Sequence, residues 1–434
     1  MTTFLEPRRK SKRPTAAAVT AGVAPAAEVV QPCRMQPSRP ATRDAASLEP
    51  YTLHIYDISY FSGKMQAYLA YKGIAHRTHE ITWQELVDRV APQTGLVEVP
   101  VVECADGSFM RDSTAMIEWF EQHYRVAPVL PDAPESAFYC RLLEDYADEG
   151  LWRPALYFRW AFDKDAELYS RRFTEDFLSY PLTPAALLRL TVRDRQRRVY
   201  LRGEGITPEN RADVERHYTD ELADLEAILR RRPFLFGDRP SLADFGYFAS
   251  MFRHFGIDPT PSRIMRNTAP AVYEWVARMW NARAATLGSL AWASGADGLP
   301  DGLEPLLARV ARRYLPSMHA NARAVAERHG HYSVTLDGKH YPGLRAVPFQ
   351  AWRRSVLQRE LARLAPHEAA PVRATLARTG CLEWLEFDGV IESGYTEGER
   401  LPFCTPRRLS MAERLRLRII GTPHHLKVGE VPGP

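Results

Sequence analysis

Between residues 51 and 124 the apolar pattern changes period repeatedly, and that succession leaves few folds open. An extended run over 51–58 stops at Asp57-Ile58-Ser59. From Gly63 the apolar residues recur at spacings of three and four (Met65, Tyr68, Leu69), which predicts a helix over 63–72 closed by Gly73. A second strand is expected over 75–81, a short helix over 83–90 and a third strand over 99–104. Ala105-Asp106-Gly107 reads as a hairpin turn, with a returning strand over 108–111. Asp112-Ser113 then caps a helix whose apolar face is Met116, Ile117, Trp119, Phe120 and Tyr124. The order is βαβ followed by ββα, which calls for a small mixed sheet with helices packed on it.

Downstream the period is mostly helical. Helices are expected over 138–148, 154–162, 184–199, 208–230, 242–255 and 269–284, and over 303–328 after Asp301. Residues 332–341 read as a hairpin on Asp337-Gly338, followed by helices over 349–364, 368–377 and 411–420. The Ala-, Pro- and Arg-rich start lacks periodicity and is expected to be disordered. Four parts follow: a tail over 1–49, a sheet domain over 50–128, an all-helical domain over 136–298 and a mostly helical extension over 299–434.

Charge is unevenly distributed along the 434 residues. Residues 51–299 carry 29 Lys and Arg against 35 Asp and Glu, within a whole-chain net of +4. An acidic centre between basic ends of mixed sign is no platform for nucleic acid. The five cysteines are scattered and never in CxxC spacing, which speaks for a reducing compartment and against a disulfide framework or a zinc site. His329, His331, His424 and His425 have no carboxylate or cysteine at ligand spacing, so no metal is expected. No apolar run is long enough to span a membrane, and a cytoplasmic location is expected. The basic cluster at Arg8-Arg9-Lys10 leaves organelle targeting as the alternative.

Four stretches in this order resemble the glutathione S-transferase family: Ser59-Tyr-Phe-Ser-Gly-Lys64, Glu98-Val99-Pro100, Asp112-Ser113 and Leu235-Phe-Gly-Asp-Arg-Pro-Ser-Leu-Ala-Asp244. The resemblance covers about 51–295. It implies a thioredoxin-like domain followed by an all-helical one, glutathione as co-substrate and a small electrophile as second substrate. Ser59 stands where the resemblance puts the catalytic serine or cysteine. A hydroxyl at a helix N-terminus stabilises a thiolate without forming a mixed disulfide, which disfavours the cysteine-dependent branch of the fold. As a plain residue type Ser59 is also an ordinary helix cap, and Ser62 is the second choice for the same role. The resemblance makes Val99-Pro100 a cis peptide whose backbone pairs with the cysteinyl part of glutathione. It gives Asp112 and Ser113 the γ-glutamyl end. Tyr157 and Trp160 are candidate walls of the electrophile pocket, or core aromatics at helical spacing.

One residue departs from the pattern. Where the family often has a cation just before Val-Pro, this chain has Glu98, which repels a glycyl carboxylate; Lys64 and Arg111 are the basic residues nearby in sequence. Ser241 with Asp244 is a capping box that nucleates a helix of the second domain. The apolar rows of the extension (Leu303, Leu306, Leu307, Val310; Val356, Leu357, Leu361, Leu364) are packing faces, and the extension either covers the pocket or docks a partner. The functional expectation is a serine-type glutathione transferase acting as a homodimer. Two alternatives stay open, a non-catalytic binding or assembly module of the same fold and a glutathione-dependent isomerase or dehalogenase.

Overall fold

Ser59 ends the first strand and starts the first helix sooner than periodicity suggests. The structure is a computed structural model and describes residues 45–178, 184–293, 295, 297–406 and 409–420. Strand β1 is Tyr51–Ile55, and helix α1 is Tyr60–Lys72, three residues longer at its start than expected because Ser59 caps it. Gly73 closes α1 in the left-handed conformation, at φ 69°, that glycine adopts without a steric penalty. Strand β2 is His76–Glu80, and α2 is a helical stretch over 83–94 that opens on a Thr82/Glu85 capping box and carries a π-turn. Strands β3 (Val101–Glu103) and β4 (Phe109–Arg111) are shorter than expected, and α3 is Ser113–His123.

The sheet has the order β2-β1-β3-β4, with β1 parallel to β2 and antiparallel to β3. Val102 and Met110 alternate with Val101 and Phe109 into two different apolar clusters, as the two faces of a pleat require. Residues 45–49, placed in the disordered tail by composition, belong to this domain: Leu48 is buried and its carbonyl accepts from Ala105 N–H. The rest of the tail, with the basic cluster at Arg8-Arg9-Lys10, lies outside the described residues.

The helical domain comprises α4 (Pro134–Asp145, continued by a π-turn, Tyr146–Gly150), α5 (Trp152–Ala161), α6 (Asp163–Arg172), α7 (Ala185–Gln196), α8 (Arg211–Leu229), α9 (Leu242–Ser250), α10 (Pro259–Thr268) and α11 (Pro270–Asn281). Helices α6 and α10 escaped the periodicity reading. The Ser241/Asp244 capping box is formed, and Asp244 also accepts from Leu235 N–H and Trp275 Nε1–H. Arg159 of α5 is buried. It donates to Ile58 O (2.9 Å), Arg253 O (2.6 Å) and both Asp258 oxygens, locking the loop before Ser59 onto the helical domain.

The single helix expected over 303–328 is two, α12 (Glu304–Arg313) and α13 (Leu315–Ala326). Pro316 has no N–H to continue the first helix, so the chain restarts there. Strands β5 (His331–Leu336) and β6 (Lys339–Arg345) form the expected hairpin, with Asp337 and Gly338 both at positive φ. Helices α14 (Pro348–Arg363), α15 (Pro366–Thr379), α16 (Leu382–Glu386) and α17 (Met411–Ile420) complete the extension. Leu409 and Leu417 of its end are buried against Val87 and Ala91 of α2, so the extension returns to the sheet domain. Among the described residues no helix is long and apolar enough to cross a membrane.

Candidate ligand site

A cavity of about 270 Å³ lies where the sheet domain, the helical domain and the extension meet. The sheet domain supplies Phe61, Glu98, Val99, Pro100, Arg111 and the α3 start, Asp112 to Thr114. The Val99–Pro100 bond is cis, as the resemblance implies. Asp112 sits at φ 68°, ψ 110°, a conformation that costs a non-glycine residue of order 1–3 kcal/mol. Its carboxylate caps α3 by accepting from Ala115 N–H (3.0 Å), and Ser113 follows as the first residue of the helix, where N–H groups favour an anion.

The helical domain supplies Asp145, Asp148 and Glu149. The π-turn after α4 adds a residue to the helical turn and so turns neighbouring acids toward one space. Behind them, fully buried Lys64 of α1 donates to Glu144 (2.6 Å) and Asp148 (2.5 Å). Burial pushes Asp148 well above the usual carboxylate range, against the pull of Lys64. Burial likewise lifts Glu149, whose carboxylate accepts from Gln350, to about 7. Asp145 is raised by burial even though Arg353 lies 2.5 Å away, and desolvation raises Glu98 against Arg111.

The extension closes the third side with Phe349 and Arg353 of α14 and with a loop carrying Tyr395 and Glu397. Arg111 donates to Glu397 (2.9 Å), Glu98 (3.3 Å) and the Tyr395 hydroxyl (3.4 Å). Beyond the loop the chain adds itself to the edge of the sheet. Arg111 N–H donates to Pro402 O (2.9 Å), Cys404 N–H donates to Phe109 O (2.8 Å), and Met110 and Phe403 form an antiparallel bridge. Phe403 packs edge-on against Trp119, 5.5 Å between ring centres. Of the two roles left open for the extension, covering the pocket is the one the structure displays.

Six of the residues singled out from sequence therefore meet at one cavity: Glu98, Val99, Pro100, Arg111, Asp112 and Ser113. Ser59 does not line it. Ser59 Oγ accepts from Ser62 N–H (3.4 Å) as the α1 cap, half-buried two residues before Phe61. Ser62 is fully buried with its hydroxyl accepting from Tyr56 N–H, which removes it as the second choice. Lys64 is buried in the wall. Tyr157 and Trp160 are core residues and not pocket walls, because α5 turns them inward: Tyr157 donates to Glu215 (2.6 Å), and Trp160 packs with Tyr169 and Leu156. The acids of α4 were not foreseen, although four acids in six residues of an otherwise buried helix (Glu144, Asp145, Asp148, Glu149) were a readable signal. Nothing in the sequence marked Arg353, Tyr395 or Glu397. His424 and His425 lie outside the described residues.

A second cavity, of about 300 Å³, lies between the helical domain and the hairpin. It is lined by Trp152, Arg153, Tyr200 and Tyr332 among others, and it shares Glu149 and Val347 with the first.

A mixed four-stranded sheet with its helices, followed by a helical bundle across a ligand-sized seam, defines a thioredoxin-like domain joined to an all-helical one. Residues 53–128 match the family model of the glutathione S-transferase N-terminal domain and residues 198–282 that of the C-terminal domain. Residues 53–128 and 198–282 thus carry the two domains of the glutathione S-transferase family. A search of curated proteins returned no match. Among solved structures, a glutathione S-transferase from Rhodospirillum rubrum is 20% identical over 54% of this chain and 88% of its own, with a TM-score of 0.35. One from Methylobacterium radiotolerans, in complex with glutathione sulfonate, is 18% identical over 58% and 94%, at 0.36. The beta-etherase LigF from Sphingobium is 18% identical over 53% and 94%, at 0.39.

Proposed function

We propose that the chain is a glutathione transferase that joins the glutathione thiol to a small electrophile. The observation that carries this reading is the convergence of Val99, Pro100, Asp112 and Ser113, the peptide-holding positions of the resemblance, on one cavity. In this reading the Val99 backbone pairs with the cysteinyl unit, and Ser113 with the α3 N-terminus takes the γ-glutamyl carboxylate. Ser59 accepts from Ser62 N–H with its oxygen, so its own O–H remains available to donate to a thiolate at the positive end of α1. The thiolate then forms a C–S bond with the electrophile, whose leaving group departs or whose π-system takes the electron pair.

A specific observation favours a second reading, that of a non-catalytic binding module. Glu397 already sits on Arg111, and Glu98 stands where a cation would hold the glycyl carboxylate. Titration of glutathione into the full chain, beside Ser59→Ala and Ser113→Ala variants assayed with an aryl halide, separates the two. The transferase reading expects Ser59→Ala to bind but not turn over, and Ser113→Ala to bind about tenfold more weakly. No heat of binding at millimolar glutathione would leave the binding module. A homodimer belongs to the same proposal, and sedimentation checks it.

A further inference from the structure

The cavity gathers more acidic than basic side chains, an imbalance that glutathione, with two carboxylates and one ammonium, does not offset. Its lining has six carboxylates (Glu98, Asp112, Asp145, Asp148, Glu149 and Glu397) against the two guanidinium groups of Arg111 and Arg353. Adding Lys64 and Glu144 behind the wall leaves the excess as it was.

Nearly every one of these groups is engaged. Arg111 serves Glu98 and Glu397, Arg353 serves Asp145 and Glu144, and Gln350 serves Glu149. Asp112 caps α3. Among these acids one buried oxygen has no donor. Asp148 lines the cavity, is only 5% exposed and gives one oxygen to Lys64, while its Oδ1 has no hydrogen-bond partner. A buried carboxylate oxygen without a donor costs free energy that a donor from a ligand would recover. The same cavity is lined by Phe61, Phe349 and Tyr395, the last two edge-to-face at 5.6 Å. Aromatic faces and a desolvated carboxylate together suit an organic cation.

We infer that the second substrate of this cavity is an organic cation, an amine or guanidine whose charged group pairs with Asp148 while its carbon body lies against Phe61, Phe349 and Tyr395. Calling it the second substrate rests on the transferase reading above; its binding does not. The acids that select it come from the helical domain, whereas the wall that reads the peptide comes from the Val99-Pro100 segment before β3 and from the start of α3, so two different sets of residues serve the two ligands. At about 270 Å³ the space is near the lower end for a small-molecule site and suits an arylalkylamine.

Calorimetric titration of the full chain with 2-phenylethylamine, beside its neutral isostere 2-phenylethanol, tests this. The amine should bind at least tenfold more tightly than the alcohol. Asp148→Asn should abolish that preference and leave the alcohol unaffected. Equal binding of amine and alcohol, binding of neither, or an amine affinity indifferent to Asp148→Asn would overturn the inference. Should Asp148→Asn fail to fold, Glu149→Gln, at a half-buried position on the same wall, should cost the amine about threefold or more; no loss there would also overturn it. Glutathione titrated separately reports on the other wall. Its failure to bind sinks the transferase reading while leaving the amine result intact, and the converse result sinks only the inference.

Discussion

Glu397, carried in by the C-terminal extension, holds its carboxylate 2.9 Å from the guanidinium of Arg111 at the end of β4. Arg111 is 7% exposed and Glu397 is on the solvent side of the pair, so the chain supplies its own anion to the buried cation nearest the Val99–Ser113 wall. In Glu397→Gln this attraction is lost, and Arg111, still paired with Glu98, has one side open to a ligand carboxylate. Glutathione affinity should rise threefold to tenfold, roughly 0.7–1.4 kcal/mol, and folding stability should fall by about 1 kcal/mol or less because the pair is partly exposed. Titration and denaturant unfolding of the same preparation read both. Unchanged glutathione affinity would remove Arg111 from the anion-binding role.

Lys64 is the cation on which the acidic wall depends. Its ammonium is wholly buried between Glu144 and Asp148, and replacing it by methionine leaves two buried carboxylates facing each other. Lys64→Met should destabilise the chain by about 3–5 kcal/mol. Adding Glu144→Gln and Asp148→Asn to the same chain should restore much of that loss. Urea midpoints of the single and triple variants are the measurement.

Glu149 makes stability depend on pH in a direction opposite to a salt-bridged acid. Burial raises its folded value to about 7, whereas an unfolded chain has about 4.3. Between those values the folded state keeps a proton that the unfolded state releases, so this group's contribution falls as pH rises toward 7 and is flat above it. Glu149→Gln lacks that slope, and wild type should lose stability relative to the variant from pH 4 to 7. Amine affinity should run the other way, rising with pH as Glu149 ionises. The groups that bear on it are Asp145 of α4, Gln350 and Arg353 of α14 and Asp112 of the sheet domain, with Asp148 beside it and Arg153 and Glu204 across the second cavity.

Asp244 holds the helical domain together by a different route. Its carboxylate, raised by burial to about 6, accepts from Ser241 N–H, Ser241 Oγ–H, Leu235 N–H and Trp275 Nε1–H. Asp244→Ala strands four buried donors at once and should cost at least about 3 kcal/mol. Thermal unfolding reads it directly, and a loss under 1 kcal/mol would contradict the assignment of this box as the organising cap.

The local features were written in the sequence. The period changes over 51–124, the Asp112 cap, the Asp337-Gly338 turn and the Ser241/Asp244 box depend on neighbours within about four residues; these elements formed in the expected order, with α1 starting three residues earlier and β3 and β4 shorter than the pattern predicts. The cavity-lining residues Glu98, Val99, Pro100, Asp112 and Ser113 were legible for the same reason, since each belongs to a short motif. What only the tertiary structure decided is the company those residues keep. Glu397 lies 286 residues from Arg111, and Arg353 lies 208 from Asp145, so no local pattern links them. Tyr157 turned inward because α5 packs against α8, and Ser62 sank into the core because α1 began at Tyr60. The charge of the cavity was settled the same way: Arg111 and Arg353 are engaged by acids brought from distant segments, and Lys64 holds Asp148 Oδ2 while Oδ1 has no donor.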